Sequence, residues 1–490
     1  MMIRSMLMRV LLLASLIAAV LAEKATAPSE MGLAIAATLI GAVGFQVALL
    51  YLTNHPDDDM RRYTYEIINA TTSIFSAVLI YESFDDVIRA NFLEGQPVAV
   101  CVLANFAHMF FWFLVMQAAL AYFSGAIGEP PTSMEAMELN VKSVAILLAQ
   151  LAGFASISAW GSLQQLDYFN TPEMSFAVLP ITYAGQFMLH TLFDSIRQVV
   201  ALSDDGEMDE FEIAWQKETG ECEKNILGLT LSFNLIQAVR FSITGTLPDK
   251  EGEFDWQTRQ RAQLAGQQFW LYGIGISFAC LMTLLFVLMA RSKEAEEKMK
   301  KHEEYEDGDG DEEEEDILEQ AISCGILTMS MAFAWCMVFG TRIWLAAWPQ
   351  LEDPMLSSIV LTMLVTFGSL SILRPLDMLA DADWTGDLID DAIEQLVKAI
   401  ALLVGFCWAM SFDSALHAAT FALPHMYIAK LLLAILSVCI IAPAWRWYLV
   451  PMAVNVGERK RDESKKQTAD ANLELGDREA TEVPYVSLPA

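Results

Sequence analysis

The chain has 490 residues, 54% of them hydrophobic, and a formal net charge of −32. Its mean hydropathy of +0.38 lies above the ordinary soluble range. The apolar excess is gathered into blocks of about 20 residues, the helical length that crosses a hydrocarbon core of about 30 Å. A soluble protein would instead carry shorter amphipathic stripes, so a water-soluble globular domain is excluded. An acidic chain of this kind offers no surface for nucleic acid.

The first 22 residues, MMIRSMLMRVLLLASLIAAVLA, place Arg4 and Arg9 before an apolar core and a small-residue end. That layout predicts a secretory signal peptide cut after Ala22, or else an uncleaved first helix. Either way the following segment lies on the external or lumenal side. Eleven spans are then expected near 32–53, 66–82, 98–123, 140–161, 174–194, 225–241, 268–290, 317–340, 356–373, 394–413 and 424–446.

Alternation from an external N-terminus assigns Arg61, Arg62, Lys142, Arg197, Lys217, Lys224, Arg291, Lys293, Lys298, Arg374, Lys398 and the basic residues of the tail to cytosolic segments. Loops on the other face hold only Arg89, Lys250, Arg259, Arg261 and Arg342. This asymmetry agrees with the positive-inside rule and predicts a cytosolic C-terminus. Six of the seven cysteines (Cys101, Cys280, Cys324, Cys336, Cys407 and Cys439) fall within spans and Cys222 in a cytosolic segment. That pattern excludes a disulfide framework and a zinc site. Asn69-Ala-Thr71 matches a glycosylation acceptor but stands at the inner end of a span.

Five stretches resemble one another: SIFSAVLIYES at 73–83, GFASISAWGS at 153–162, SFNLIQAVRF at 232–241, AFAWCMVFGT at 332–341 and GFCWAMSFDS at 405–414. Phe75, Phe154, Phe233, Phe333 and Phe406 are spaced by 79, 79, 100 and 73 residues. Each stands seven residues before a variable position, occupied by Glu82, Gly161, Arg240, Gly340 and Asp413 in turn. A periodic self-match implies a repeat architecture, and transporters are often built from internal repeats. The expected fold is an all-α polytopic transmembrane helical bundle: an external segment and leading span at 23–53, then hairpin repeats at 54–130, 131–200, 224–291, 317–380 and 381–456. Acidic cytosolic segments at 201–223 and 292–316 interrupt the series, and 457–490 is a disordered cytosolic tail. The shared Phe, flanked by small residues such as Gly153, Ala155, Gly405 and Cys407, is a packing device.

The variable position carries the charge. Glu82, Asp85, Asp86 and Asp413 face Arg240, Arg342 and Lys430 at a similar depth near the external rim. Ionised groups there either pair across the bundle or mark a path for an ion or solute. Their external neighbours are more acidic than basic, which favours cations over anions. His417, four residues after Asp413, shares its helical face and could relay a proton. The second span is unusually polar, so Asn69, Thr72 and Ser76 are pore-lining candidates. His108 and His190 are the candidate buried histidines.

Outside the spans, the acidic run at 303–316 repels itself and reads as a disordered linker. The stretch DDGEMDEFEI at 204–213 approaches a calcium loop but would need Ala201 as its first ligand. Tyr485-Val-Ser-Leu488 fits a short sorting signal. No nucleotide-binding loop, metalloprotease motif or nucleophile elbow is present. No metal or cofactor is implied, no catalytic residue is assigned, and nothing fixes an oligomeric state or a partner subunit. Besides the bilayer, the expected partner is a small ion or solute, and the expected function is transport by a carrier or channel. A non-transporting scaffold or accessory subunit is the alternative, and an intramembrane lipid-modifying enzyme using a buried histidine is the second.

Overall fold

The computed structural model describes residues 30–127, 134–203, 206, 208–250, 252, 266–303, 317–348, 351, 353–380 and 387–453. The leader at 1–22, nearly all of the acidic run at 303–316 and the tail at 457–490 lie outside the described residues, and so does the sorting motif.

Among the described residues eleven long helices follow in order: α1 (Glu30–Thr53), α2 (Asp58–Ile88), α3 (Val98–Ser124), α4 (Met134–Gln164), α5 (Val178–Ala201), α6 (Glu210–Thr244), α7 (Gln267–Glu303), α8 (Ile317–Ala346), α9 (Pro354–Ala380), α10 (Asp387–Thr420) and α11 (Met426–Ala444). No strand occurs among the described residues. Each expected span falls on one of these helices. Ten are long and apolar enough to cross a membrane, and α1 adds the apolar stretch Leu39–Thr53. The protein is an all-α polytopic membrane bundle. Helices satisfy every backbone donor and acceptor internally, which is the condition for crossing lipid.

Local chemistry sets several ends. Asp57 caps α2, its carboxylate accepting from the backbone N–H groups of Asp59 and Met60 at 3.0 and 3.4 Å. Asp209 and Glu212 form a reciprocal capping box at the start of α6. That box gives Asp209 and Glu212, two of the acids compared with a calcium loop, a structural role. Gly245 ends α6 with φ of +67°, a left-handed conformation that a side chain would strain. Cys222, expected in a cytosolic segment, lies in the part of α6 that precedes the predicted span at 225, since the helix begins fifteen residues earlier at Glu210; its buried thiol donates to the Ala145 carbonyl of α4 at 3.7 Å.

The even-numbered helices form a closed ring. α2 packs on α4, α4 on α6, α6 on α8, α8 on α10, and α10 returns to α2. As every second helix in the chain, they run parallel. The odd-numbered helices clad the ring from outside, with α3 on α4, α5 on α6, α7 on α8, α9 on α10 and α11 on α2, while α1 lies against α9. Burial separates the two layers. Between 56% and 78% of the apolar window is buried in each ring helix, against 17% to 33% in α3, α5, α7 and α11. α9 reaches 56% because α1 covers it. The closest antiparallel neighbours, α3 with α4 and α7 with α8, come from consecutive predicted units, and within a unit the two helices touch less.

Small residues allow the ring to close. A Cβ placed on Gly405 of α10 would stand 3.1 Å from the Thr71 Cα and 3.0 Å from the Ile74 Cβ of α2. On Gly153 of α4 it would meet a Leu229 methyl of α6 at 2.7 Å. Gly41 and Gly44 of α1 similarly admit the side chains of Met363 and Phe367 from α9. The interior is one large apolar cluster around the ring and a smaller one at the opposite end, built on Tyr63, Leu373 and Val397.

A charged vestibule and an aromatic plug on the ring axis

A cavity of about 260 Å³ lies where the five ring helices converge. α2 contributes Val78, Tyr81 and Glu82, α4 Phe154, Ile157 and Ser158, α6 Phe233, α8 Trp335 and Arg342, and α10 Phe406, Met410, Asp413 and Ser414. Ser358 and the exposed Pro354 of α9 and Lys250 from the α6–α7 connection complete the wall. Its charged members gather at one end of the ring, the rim expected to be external. Its aromatic members lie deeper.

Those aromatics bar the axis. The Phe154 and Phe406 rings stack with centroids 6.1 Å apart. Trp335 meets Phe406 edge-on at 4.6 Å and Phe233 edge-on at 5.2 Å. The Trp335 indole N–H donates to the Ser232 hydroxyl at 3.2 Å, which holds the ring in place. All four are buried. Three of the five phenylalanines singled out by the sequence thus meet at one depth. Phe75 pairs instead with Phe412 at 4.8 Å, and in α8 Trp335 reaches the axis while Phe333 stays half-buried.

The rim holds two ion clusters. Lys430 of α11, 3% exposed, inserts its ammonium between Asp86 of α2 at 2.5 Å and Asp413 of α10 at 2.6 Å. Asp85, 2% exposed, accepts from Arg89 at 2.9 Å and from Lys250 at 2.7 Å. Lys250 also donates to the Asn105 amide oxygen at 3.3 Å. Its backbone dips into the rim because Gln165 donates to the Pro248 carbonyl at 2.8 Å and Gln237 to the Asp249 carbonyl at 2.6 Å. Buried charges brought together in this way offset one another's desolvation and fix the register of four helices. Asp85, Asp86 and Asp413 each form an ion pair with Arg89, Lys250 or Lys430, and Glu82 is the rim carboxylate that forms none among the described residues.

His108 belongs to the same end. Its Nε2 accepts from the Trp112 indole N–H at 2.8 Å, so a neutral ring carries its proton on Nδ1, which lies 3.7 Å from Asp85. The ring stacks on Tyr81 with centroids 5.2 Å apart. Arg240 lies almost wholly buried, with its guanidinium 3.7 Å from the centre of the Phe339 ring. Arg342 reaches the cavity wall. Lys430, rather than either arginine, neutralises Asp413.

A second cavity of about 610 Å³ lies beside the first, between the end of α2, the start of α3 and the α10–α11 turn. Arg89, Asn105, His417 and Tyr427 line it, and Lys250 borders both cavities. His417 is exposed at the mouth.

The polar residues of α2 turn elsewhere. Asn69 accepts from the Trp445 indole N–H at 2.8 Å, and the Thr72 and Ser76 hydroxyls donate to carbonyls one turn back in their own helix at 2.7 and 2.8 Å. None of the three lines either cavity. Of the two surroundings open to these polar groups, protein or a water-filled path, the described contacts are with protein, where a hydroxyl is satisfied by the backbone behind it. His190 stacks on Phe113 at 5.9 Å, near a separate buried pair in which Arg197 of α5 grips Glu223 of α6 at 2.6 and 3.1 Å. Gln117 of α3 donates to the same carboxylate at 2.6 Å.

Sequence reasoning passed over Lys250, Asn105, Tyr81 and Trp335. Lys250 sits in a connection that looks like any polar loop, and an asparagine or aromatic within an apolar run carries no sign of its partner. Among the described residues, no group of three or more His, Cys, Asp or Glu is arranged to hold a metal ion. Comparison with known proteins found no matching family model, no matching curated protein and no matching solved structure.

Proposed function

We propose that this chain is a membrane transport protein, a carrier or channel for a small solute, with cations preferred over anions. The observation that carries the reading is the axial cavity. Five parallel helices surround a space that is charged at one end and stopped by Phe154, Phe233, Trp335 and Phe406 at the other. A constriction of close-packed rings stops ions by excluding water until it parts. The duplicated helix pairs supply the ring, one helix each, with the N-terminus external and the C-terminus cytosolic. Glu82 and its neighbours draw a cation toward the plug.

The test is flux. Purified protein in liposomes should conduct or exchange at least one of Na⁺, K⁺, H⁺ or a small organic cation under an imposed gradient. The double variant Trp335→Ala and Phe406→Ala should raise the passive leak of the same ions. Absence of flux in both proteins, with the folded state verified, would refute transport. The scaffold reading then takes its place, and the pairing of Asp85, Asp86 and Asp413 favours it. A scaffold would tolerate loss of Glu82 without functional consequence.

A further inference from the structure

We infer that the axial cavity is a binding site for a small organic ammonium ion, held by Glu82 against the aromatic plug. This rests on the transport reading for its role but not for its chemistry.

Asp413 has Lys430, and Asp85 has Arg89 and Lys250. Of the two basic groups in the cavity wall, Lys250 is paired with Asp85, and Arg342 forms no ion pair with Glu82 among the described residues. Glu82 therefore offers the cavity one carboxylate to which no described donor is committed. A single carboxylate without an ion-pair partner suits a monovalent cation rather than a divalent one. A divalent metal ion needs six or more oxygen ligands, or a tight set of His, Cys and carboxylates, and no such set occurs among the described residues.

The walls then distinguish an organic cation from a bare alkali ion. Stripping the water from Na⁺ or K⁺ requires a ring of oxygens in exchange. Below Glu82 the cavity wall is dominated by the rings of Tyr81, Phe154, Phe233, Trp335 and Phe406, with the hydroxyls of Ser158, Ser358 and Ser414 as the few uncharged oxygens beside them. A substituted ammonium spreads its charge over its carbons and is attracted by such rings, most strongly where water is excluded. The protein already uses its aromatic cluster in this way. The Arg240 guanidinium rests on Phe339 at 3.7 Å, and Phe339 stacks on Trp335 at 5.9 Å. A volume of about 260 Å³ exceeds what a dehydrated metal ion fills, and it stands near the lower end of small-molecule sites, about 300–1,000 Å³.

Choline and its uncharged isostere 3,3-dimethylbutan-1-ol isolate the charge, because they share shape and size. Full-length protein in lipid nanodiscs should bind choline saturably, with a change in tryptophan emission. The isostere should bind at least about tenfold more weakly. Glu82→Gln should weaken choline by a similar factor, and Glu82→Asp should retain part of the affinity. Should Glu82→Gln lose its monodisperse folded form, Phe406→Leu serves instead. It removes a ring but keeps an apolar side chain, so choline should weaken while the isostere does not. Equal binding of the two probes would overturn the inference, and so would choline affinity unchanged in Glu82→Gln and Phe406→Leu. Flux of Na⁺ or K⁺ without choline binding overturns the ammonium site and leaves transport standing. Choline binding without flux of any ion supports the site and removes transport.

Discussion

Lys430→Met removes the cation that stands between Asp86 and Asp413. The two contacts of 2.5 and 2.6 Å place the carboxylate oxygens no more than about 5.1 Å apart, the sum of both. At that separation, and at an effective dielectric constant of about 20, two unit charges repel by about 3 kcal/mol. The wild-type arrangement replaces this repulsion with two attractions, at the cost of desolvating an ammonium that is 3% exposed. Breaking a buried ionic group by deleting one partner costs about 3–5 kcal/mol, so the variant should fall within that range. Thermal and denaturant unfolding in detergent, followed by tryptophan emission, measures it. The double variant Lys430→Met with Asp413→Asn deletes one of the repelling charges and should recover more than half of the loss. A single variant within about 0.5 kcal/mol of wild type would refute the view that this triad is a coupled, water-poor cluster. So would a double variant as unstable as the single.

Gly405→Leu should destabilise by about 1–3 kcal/mol, because the added carbons would strike the Thr71 backbone and Ile74 of α2 and push the ring open. A lowered melting temperature with retained helical circular dichroism checks it. Arg197→Leu strands the Glu223 carboxylate between α3, α5 and α6 and should cost about 3–5 kcal/mol, whereas Arg197→Leu with Glu223→Leu should approach wild-type stability. Denaturant midpoints of the two variants decide between a paired and an independent role. Asp209→Ala removes the capping box of α6 and should cost about 1 kcal/mol, visible as faster amide hydrogen exchange confined to the first turns of that helix.

Much of the fold was readable along the chain. Each of the eleven apolar blocks became a helix, because lipid leaves the backbone no other way to satisfy its polar groups. Glu82, Asp85, Asp86 and Asp413 were recognisable as a group because their depth follows from where each span ends. Their partners were harder to foresee. Lys430 was expected to meet the rim acids and does. Arg240 was set against the same acids, yet its guanidinium lies on Phe339. The polarity of Asn69, Thr72 and Ser76 left protein or a water-filled path open, while the folded protein gives them an indole and two backbone carbonyls.

The amino-acid sequence by itself determined that this chain belongs in a bilayer, where its long apolar helices lie, and which of them carry charge. These are local properties, since hydropathy and charge act on about 20 consecutive residues without reference to any neighbour. Only the tertiary structure decided that alternate helices close into a ring, that Lys250 reaches back to Asp85, and that Phe154, Phe233, Trp335 and Phe406 meet on one axis. A helix such as α1 has no polar stripe, so nothing along its length says how it is rotated. That rotation is set by close packing of side chains far apart in the chain, as when Gly405 admits Thr71 and Ile74.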